Sequence, residues 1–166
     1  MKRFLSLLCF ALCFLPAVAF AAPDININIA PPANWESVDA DISENRIAVF
    51  VDNATENRIE IQSKEFPKDN YAKTFFDSLH DNLTQNNFQP KEELTDKKIT
   101  LNNGKERPGK LASYTYDLTE SPISVKTFMF HVKAVVYIVT IYYAPQNKES
   151  AEKVFDEYLK TLTEAK

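Results

Sequence analysis

The sequence predicts an α+β fold, an α/β/α sandwich in which two helices cover opposite faces of a mainly antiparallel sheet. Three observations predict it. Ala134 to Ala144 reads Ala-Val-Val-Tyr-Ile-Val-Thr-Ile-Tyr-Tyr-Ala, apolar on both alternating faces, as a central strand covered on both sides requires. Two segments, one after Pro67 and one from Glu149, abandon this alternation for the helical period. The stretches between the periodic segments are short, which suits antiparallel meanders better than parallel crossovers.

In chain order, the first segment is an address. Met1-Lys2-Arg3 is basic, Phe4 to Phe20 is almost unbroken apolar sequence, and Ala19-Phe20-Ala21 offers small residues for cleavage. Residues 1–21 therefore read as a secretory signal peptide, and Pro16 disfavours a continuous spanning helix. Cleavage leaves a chain expected in the periplasm or secreted, soluble and without an integral membrane segment. Both cysteines, Cys9 and Cys13, lie in this segment, and neither follows the small residue that a lipid-anchored cysteine needs. The cleaved chain then has no thiol for a disulfide, a metal site or a nucleophile.

Residues 22–34, with Pro23, Pro31 and Pro32, form a Pro-rich lead-in, and residues 35–166 read as a single domain without internal repeats. Trp35, the only tryptophan, is expected to pack at the sheet edge. Arg46 to Val51 and the alternating Arg58-Ile59-Glu60-Ile61-Gln62 flank a run of turn formers, Asp52 to Asn57, and predict a hairpin. Tyr71, Phe75, Phe76, Leu79 and Leu83 recur at helical spacing behind Asp69, predicting an amphipathic helix over Asn70 to Gln85. Lys98 to Leu101 is the next strand, closed by the Asn102-Asn103-Gly104 turn. Leu111 to Leu118 follows, with Ala112, Tyr114, Tyr116 and Leu118 on one face. Ser124 to Val132 and Ala134 to Ala144 complete the sheet. From Glu149, the apolar stripe Ala151, Val154, Phe155, Tyr158, Leu159 and Leu162 predicts a closing helix of about five turns.

The composition excludes several chemistries. Of the 19 basic residues, removal of Lys2 and Arg3 leaves 17 against 23 acidic ones, a net charge of −6 after cleavage. Nucleic acid is therefore not an expected partner. The two glycines, Gly104 and Gly109, enclose no nucleophilic serine, so neither a nucleophile elbow nor a phosphate-cradling loop can be assembled from them. His80 reads as a solvated helix residue and His131 as a packed or hydrogen-bonded strand residue. Neither stands in a recognised metal motif. Asp39, Asp41, Glu44, Glu60, Glu92, Glu93 and Asp96 are scattered and read as solvated charge. No catalytic residue, metal ligand or cofactor is assigned, and the chain is not expected to be an enzyme.

The feature nearest to a binding signal is the aromatic load, 12 % of the chain. Tyr114, Tyr116, Tyr142 and Tyr143, with Trp35, are the candidate binding residues, because an apolar ring with a polar tip suits a partner surface or a sheet–helix pocket. A sheet covered on both faces needs filling, and the core is the expected place for most of these rings.

The Pro-Pro-Ala-Asn-Trp segment before the first hairpin, the Leu101-Asn102-Asn103-Gly104 turn before a Tyr-rich strand, and the aromatic strand Tyr137 to Tyr143 before a final amphipathic helix resemble the PsbP-like domain. The resemblance spans Ile29 to Leu162 and rests on pattern and order. It implies an α/β/α sandwich used as a non-catalytic accessory module, with relatives that include DcrB-like envelope proteins. By this resemblance, the expected role is an exported accessory protein of the envelope engaging an envelope or membrane-complex protein. A carrier of a small apolar or lipid-like ligand is the alternative. No residue role carries over individually.

Overall fold

The computed structural model describes residues 27–39, 45–66, 69–86, 88–116 and 121–165, so the expected signal sequence lies outside the described residues. The elements are β1 (Ile27–Asn28), β2 (Glu36–Ser37), β3 (Arg46–Asp52), β4 (Asn57–Glu65), α1 (Asp69–Gln85), β5 (Phe88–Thr100), β6 (Glu106–Tyr116), β7 (Ile123–Val132) and β8 (Val135–Tyr143). A 3-10 turn at Pro145–Asn147 then leads to α2 (Lys148–Thr161) and β9 (Thr163–Glu164). Seven strands form one sheet in the order β2-β3-β4-β8-β7-β6-β5, with every neighbour antiparallel.

The doubly apolar run occupies the middle of this order, and all nine residues of β8 are buried. Alternation sends its side chains to two different cores. Val135, Tyr137, Val139, Ile141 and Tyr143 meet Ala151, Phe155, Tyr158 and Leu159 of α2. Val136, Ile138 and Tyr142 meet Phe76, Leu79 and Leu83 of α1. Sheet and helices therefore make the expected three-layer α+β sandwich.

Local chemistry sets the turns. Between β3 and β4, Asp52 accepts hydrogen bonds from the Ala54 amide (3.0 Å) and the Thr55 hydroxyl (2.7 Å), holding the chain while it reverses. Gly104 closes the β5–β6 turn at φ 79°, a left-handed conformation in which a side chain is strained. In the lead-in, Asn34 takes φ 66° and the Trp35 amide donates to the Pro32 carbonyl at 3.1 Å. This turn places the Trp35 ring, half-buried, against the α2-side core beside the edge strand β2, where the sequence predicts it. The two ends of the described chain clasp, with Ile27 opposite Glu164 and Asn28 opposite Thr163. Lys105 and Arg107 both bind the Glu164 carboxylate and secure this clasp to the β5–β6 hairpin.

Five expectations need correction. The strand expected at Lys98 starts at Phe88, because β5 is an edge strand whose charged residues hide its alternation, and its register shifts between Pro90 and Thr95. Its partner β6 likewise starts at Glu106 rather than Leu111. Helix α2 has 14 residues, about four turns at 3.6 residues per turn, because Leu162 turns into extended backbone. Glu60 is not solvated: it is fully buried on β4 between Arg46 and Arg58. His80 is half-buried, with Nδ1 2.7 Å from the Tyr114 hydroxyl, tying α1 to β6.

Candidate functional site

The five aromatic candidates do not converge. Tyr114, Tyr142 and Tyr143 are 1 %, 3 % and 4 % exposed and belong to the core. Burial raises the Tyr114 hydroxyl above its ordinary pKa, which leaves it a neutral partner for His80. Tyr116 is half-buried against Phe88 on the α1 side, with ring centroids 5.0 Å apart. Trp35 lies on the opposite face of the sheet. These rings fill the sandwich instead of forming one binding surface.

A polar assembly beneath α2 replaces them. Lys126 on β7 shares the inward parity of Phe128 and Phe130, and it is 7 % exposed. Its Nζ meets Glu152 Oε2 at 2.9 Å, while the Tyr143 hydroxyl donates to Glu152 Oε1 at 3.0 Å. Lys148, one turn earlier on α2, approaches the same carboxylate at 3.9 Å. One turn further on, Asp156 receives Lys97 of β5 at 3.0 Å. Sequence inspection missed this assembly. The available signals were a lysine at an inward strand position and carboxylates four residues apart on a helix.

The electrostatics follow from this geometry. Burial pushes the Glu152 carboxyl upward, but the Lys126 hydrogen bond and charge, with Tyr143 and Lys148, outweigh it and set the group below its ordinary pKa of 4.5. Burial, then the charge and hydrogen bond of Glu152, then Glu92, raise the Tyr143 hydroxyl. Because folded Glu152 binds its proton less readily than the unfolded chain does, its stabilisation is full above the ordinary carboxylate pKa. That stabilisation is lost as pH falls through the lower folded value. Glu152→Gln is therefore expected to lower the urea midpoint near neutrality and to flatten the acid limb below about pH 4.5. An acid limb as steep as that of the unsubstituted protein would refute this role.

Two half-open grooves adjoin α2 and the lead-in. One, about 450 Å³, runs between the end of β5 and the last turns of α2, over Ile99 and Leu159 and bordered by Lys97, Lys98, Asp156 and Lys160. The other, about 370 Å³, lies between the lead-in and β3, walled by Ile27, Ile29, Pro31, Ile47 and Phe50, with Ser37 and Asp39 also lining it. Among the described residues, no group of three or more His, Cys, Asp or Glu gathers as a metal ion would need. His131 Nδ1 lies 3.1 Å from the Lys133 carbonyl, separate from the His80–Tyr114 pair.

The architecture is that of the PsbP-like fold: a central antiparallel sheet, a helix on each face, and a Pro-rich lead-in at its edge. No family model and no curated protein matches the sequence. Solved structures share the fold at low identity. Cyanobacterial PsbP from Synechocystis is 16 % identical, with 91 % of this chain and 97 % of that chain covered and a TM-score of 0.54. LpqN of Mycobacterium tuberculosis, described as involved in cell envelope biogenesis, is 13 % identical, with 82 % of each chain covered and a TM-score of 0.55. The Ran-binding protein Mog1p of Saccharomyces cerevisiae is 11 % identical, with 83 % of this chain and 89 % of that chain covered and a TM-score of 0.53. At these identities the likeness is one of fold.

Proposed function

We propose that the protein is an exported, non-enzymatic accessory protein of the cell envelope whose single domain engages a protein partner. The observation that carries this reading is the pair of half-open grooves beside α2 and the lead-in, with apolar floors or walls and polar rims. Such surfaces suit contact with another chain, whereas a carrier of a small apolar ligand would enclose its cargo. Export rests on the basic start and the apolar run ending at Ala19-Phe20-Ala21. No helix among the described residues is long and apolar enough to cross a membrane. LpqN and Mog1p, which share the fold, are described by an envelope role and by binding of another protein.

The test is lysine-reactive cross-linking of tagged mature protein in intact envelopes, followed by capture and mass spectrometry against a tag-only control. The expected result is one stoichiometric envelope protein, cross-linked through the lysines that border the groove between β5 and α2. Absence of an enriched protein, with a small molecule retained in native mass spectrometry, would replace this reading with the carrier.

A further inference from the structure

We infer that the groove between β5 and α2 is a docking site for an extended acidic segment of a partner protein, laid along the free edge of β5. The inference rests on the protein-partner reading and names the chemistry of that partner.

Charge points to an acidic occupant. The chain carries −4 overall, yet residues 96–110 hold five basic side chains against two acidic ones. Several of these cations are already engaged inside the domain: Lys97 by Asp156, Lys110 by Asp96, and Lys105 and Arg107 by Glu164. Two at the groove are not held in this way. Lys98, on the strand side, has a contact of 3.8 Å to Glu106 in which both side chains are more than half exposed, so water screens it. Lys160, on the helix side, is exposed and has no ion-pair partner among the described residues. The groove therefore has an apolar floor formed by Ile99 and Leu159, with Lys160 at its helix rim, and Lys98 presents a second cation on the opposite face of the same β5 edge.

The backbone points to an extended occupant. β5 ends the sheet, so its outer edge faces no other strand among the described residues. The register shifts between Pro90 and Thr95 disrupt the first half of the strand, whereas Asp96 to Thr100 pair regularly with Glu106 to Lys110. A regular edge accepts an added strand through its main-chain groups, and side-chain pockets select which one. Lysine on an edge strand discourages indiscriminate pairing. An acidic strand reverses that penalty: the carboxylates on its face away from α2 meet Lys98, while the alternating apolar side chains on its other face meet Ile99 and Leu159, and a carboxylate at its end reaches Lys160 at the rim. A flat anionic bilayer would reach the lysines but not the floor between strand and helix.

The experiment titrates the ¹⁵N-labelled mature protein with a synthetic alternating Leu–Glu peptide. A Leu–Lys peptide and phosphatidylglycerol vesicles serve as the competing probes. The expected result is amide shifts confined to residues 96–100 and 156–160 with the Leu–Glu peptide, weakened by salt. Lys98→Glu with Lys160→Glu should reduce affinity about tenfold or more, since two screened attractions become repulsions. Both side chains are exposed, and an unchanged circular dichroism spectrum shows that the fold survives. Lys98→Gln with Lys160→Gln should give an intermediate loss.

Shifts elsewhere, equal binding of the Leu–Lys peptide, undiminished binding by the charge-reversed variant, or vesicle binding without peptide binding would each overturn the inference. A partner captured as well by the charge-reversed variant as by the natural sequence would overturn this site and leave the accessory-protein reading standing. Peptide binding at this edge without any captured envelope protein would overturn that reading and not the site.

Discussion

Glu60→Ala is expected to destabilise the fold by about 3–5 kcal/mol, the usual cost of breaking a buried ion cluster from one side. Glu60 is fully buried, with Arg58 Nε 2.7 Å from Oε1 and Arg46 Nε 3.4 Å from Oε2. It lies on β4 between Val49 of β3 and Thr140 of β8, so strands shield it on both sides. Each arginine side chain is no more than 10 % exposed, and water cannot replace the carboxylate once it is removed. Both guanidinium groups would then share one buried counter-charge fewer, which is costlier than the modest net attraction of the intact pairs suggests. Glu60→Gln, which keeps one acceptor oxygen but turns an amide donor toward the second arginine and loses the charge, should fall between the natural protein and the alanine variant. Urea unfolding is the measurement, and an alanine variant within about 1 kcal/mol of the natural protein would show that these charges remain hydrated.

Gly109→Ala is the second large effect. A methyl group there would stand 2.6 Å from Phe128 Cζ and 2.9 Å from Cε2, and it would also run into the Met129 carbonyl. These neighbours cannot simply withdraw. Phe128 stacks on Phe130, which stacks on Tyr137, with centroids 5.7 Å and 5.5 Å apart. Phe128 and Phe130 are fully buried, and Met129 is part of the β6–β7 ladder. Relief requires a backbone shift in β6 or displacement of the aromatic stack. The expected loss is about 1–3 kcal/mol, toward the upper end because backbone as well as ring atoms are struck. Thermal unfolding measures the loss, and a weakened near-ultraviolet circular dichroism signal would locate it in the stack. An unchanged melting temperature would mean that the Phe128 ring does not lie over Gly109.

Much of the fold could be read before any coordinates. The doubly apolar run at β8 identified a strand with cores on both sides, since a one-sided strand would have alternated. The hairpin of β3 and β4 was legible because Asp52 to Asn57 concentrates turn chemistry between two apolar runs. The part of β5 before Lys98 was not legible, because Lys91, Glu92, Asp96 and Lys97 give an edge strand no apolar period. Its pairing comes from β6, a neighbour supplied by the fold.

The candidate site was less legible than the fold. Tyr114, Tyr142 and Tyr143 could have been surface or core, and burial made them core. His80 acquired its role only when α1 crossed Tyr114, 34 residues away in sequence. Lys126 and Glu152 are 26 residues apart, and Lys97 and Asp156 are 59 apart. No local period connects such pairs.

By itself, the sequence determined the basic start and apolar run of residues 1–20, the absence of cysteine after residue 21, the strand and helix periods, and the central place of β8. Tertiary structure alone decided that Glu60 is buried with two arginines, that α2 is tied down by Lys126 and Lys97, and that a lysine-rimmed groove opens beside β5. The physical reason is range. Apolar periodicity is a local property imposed by the geometry of one strand or one helix, whereas a buried charge or a groove exists only between elements that the completed fold brings together.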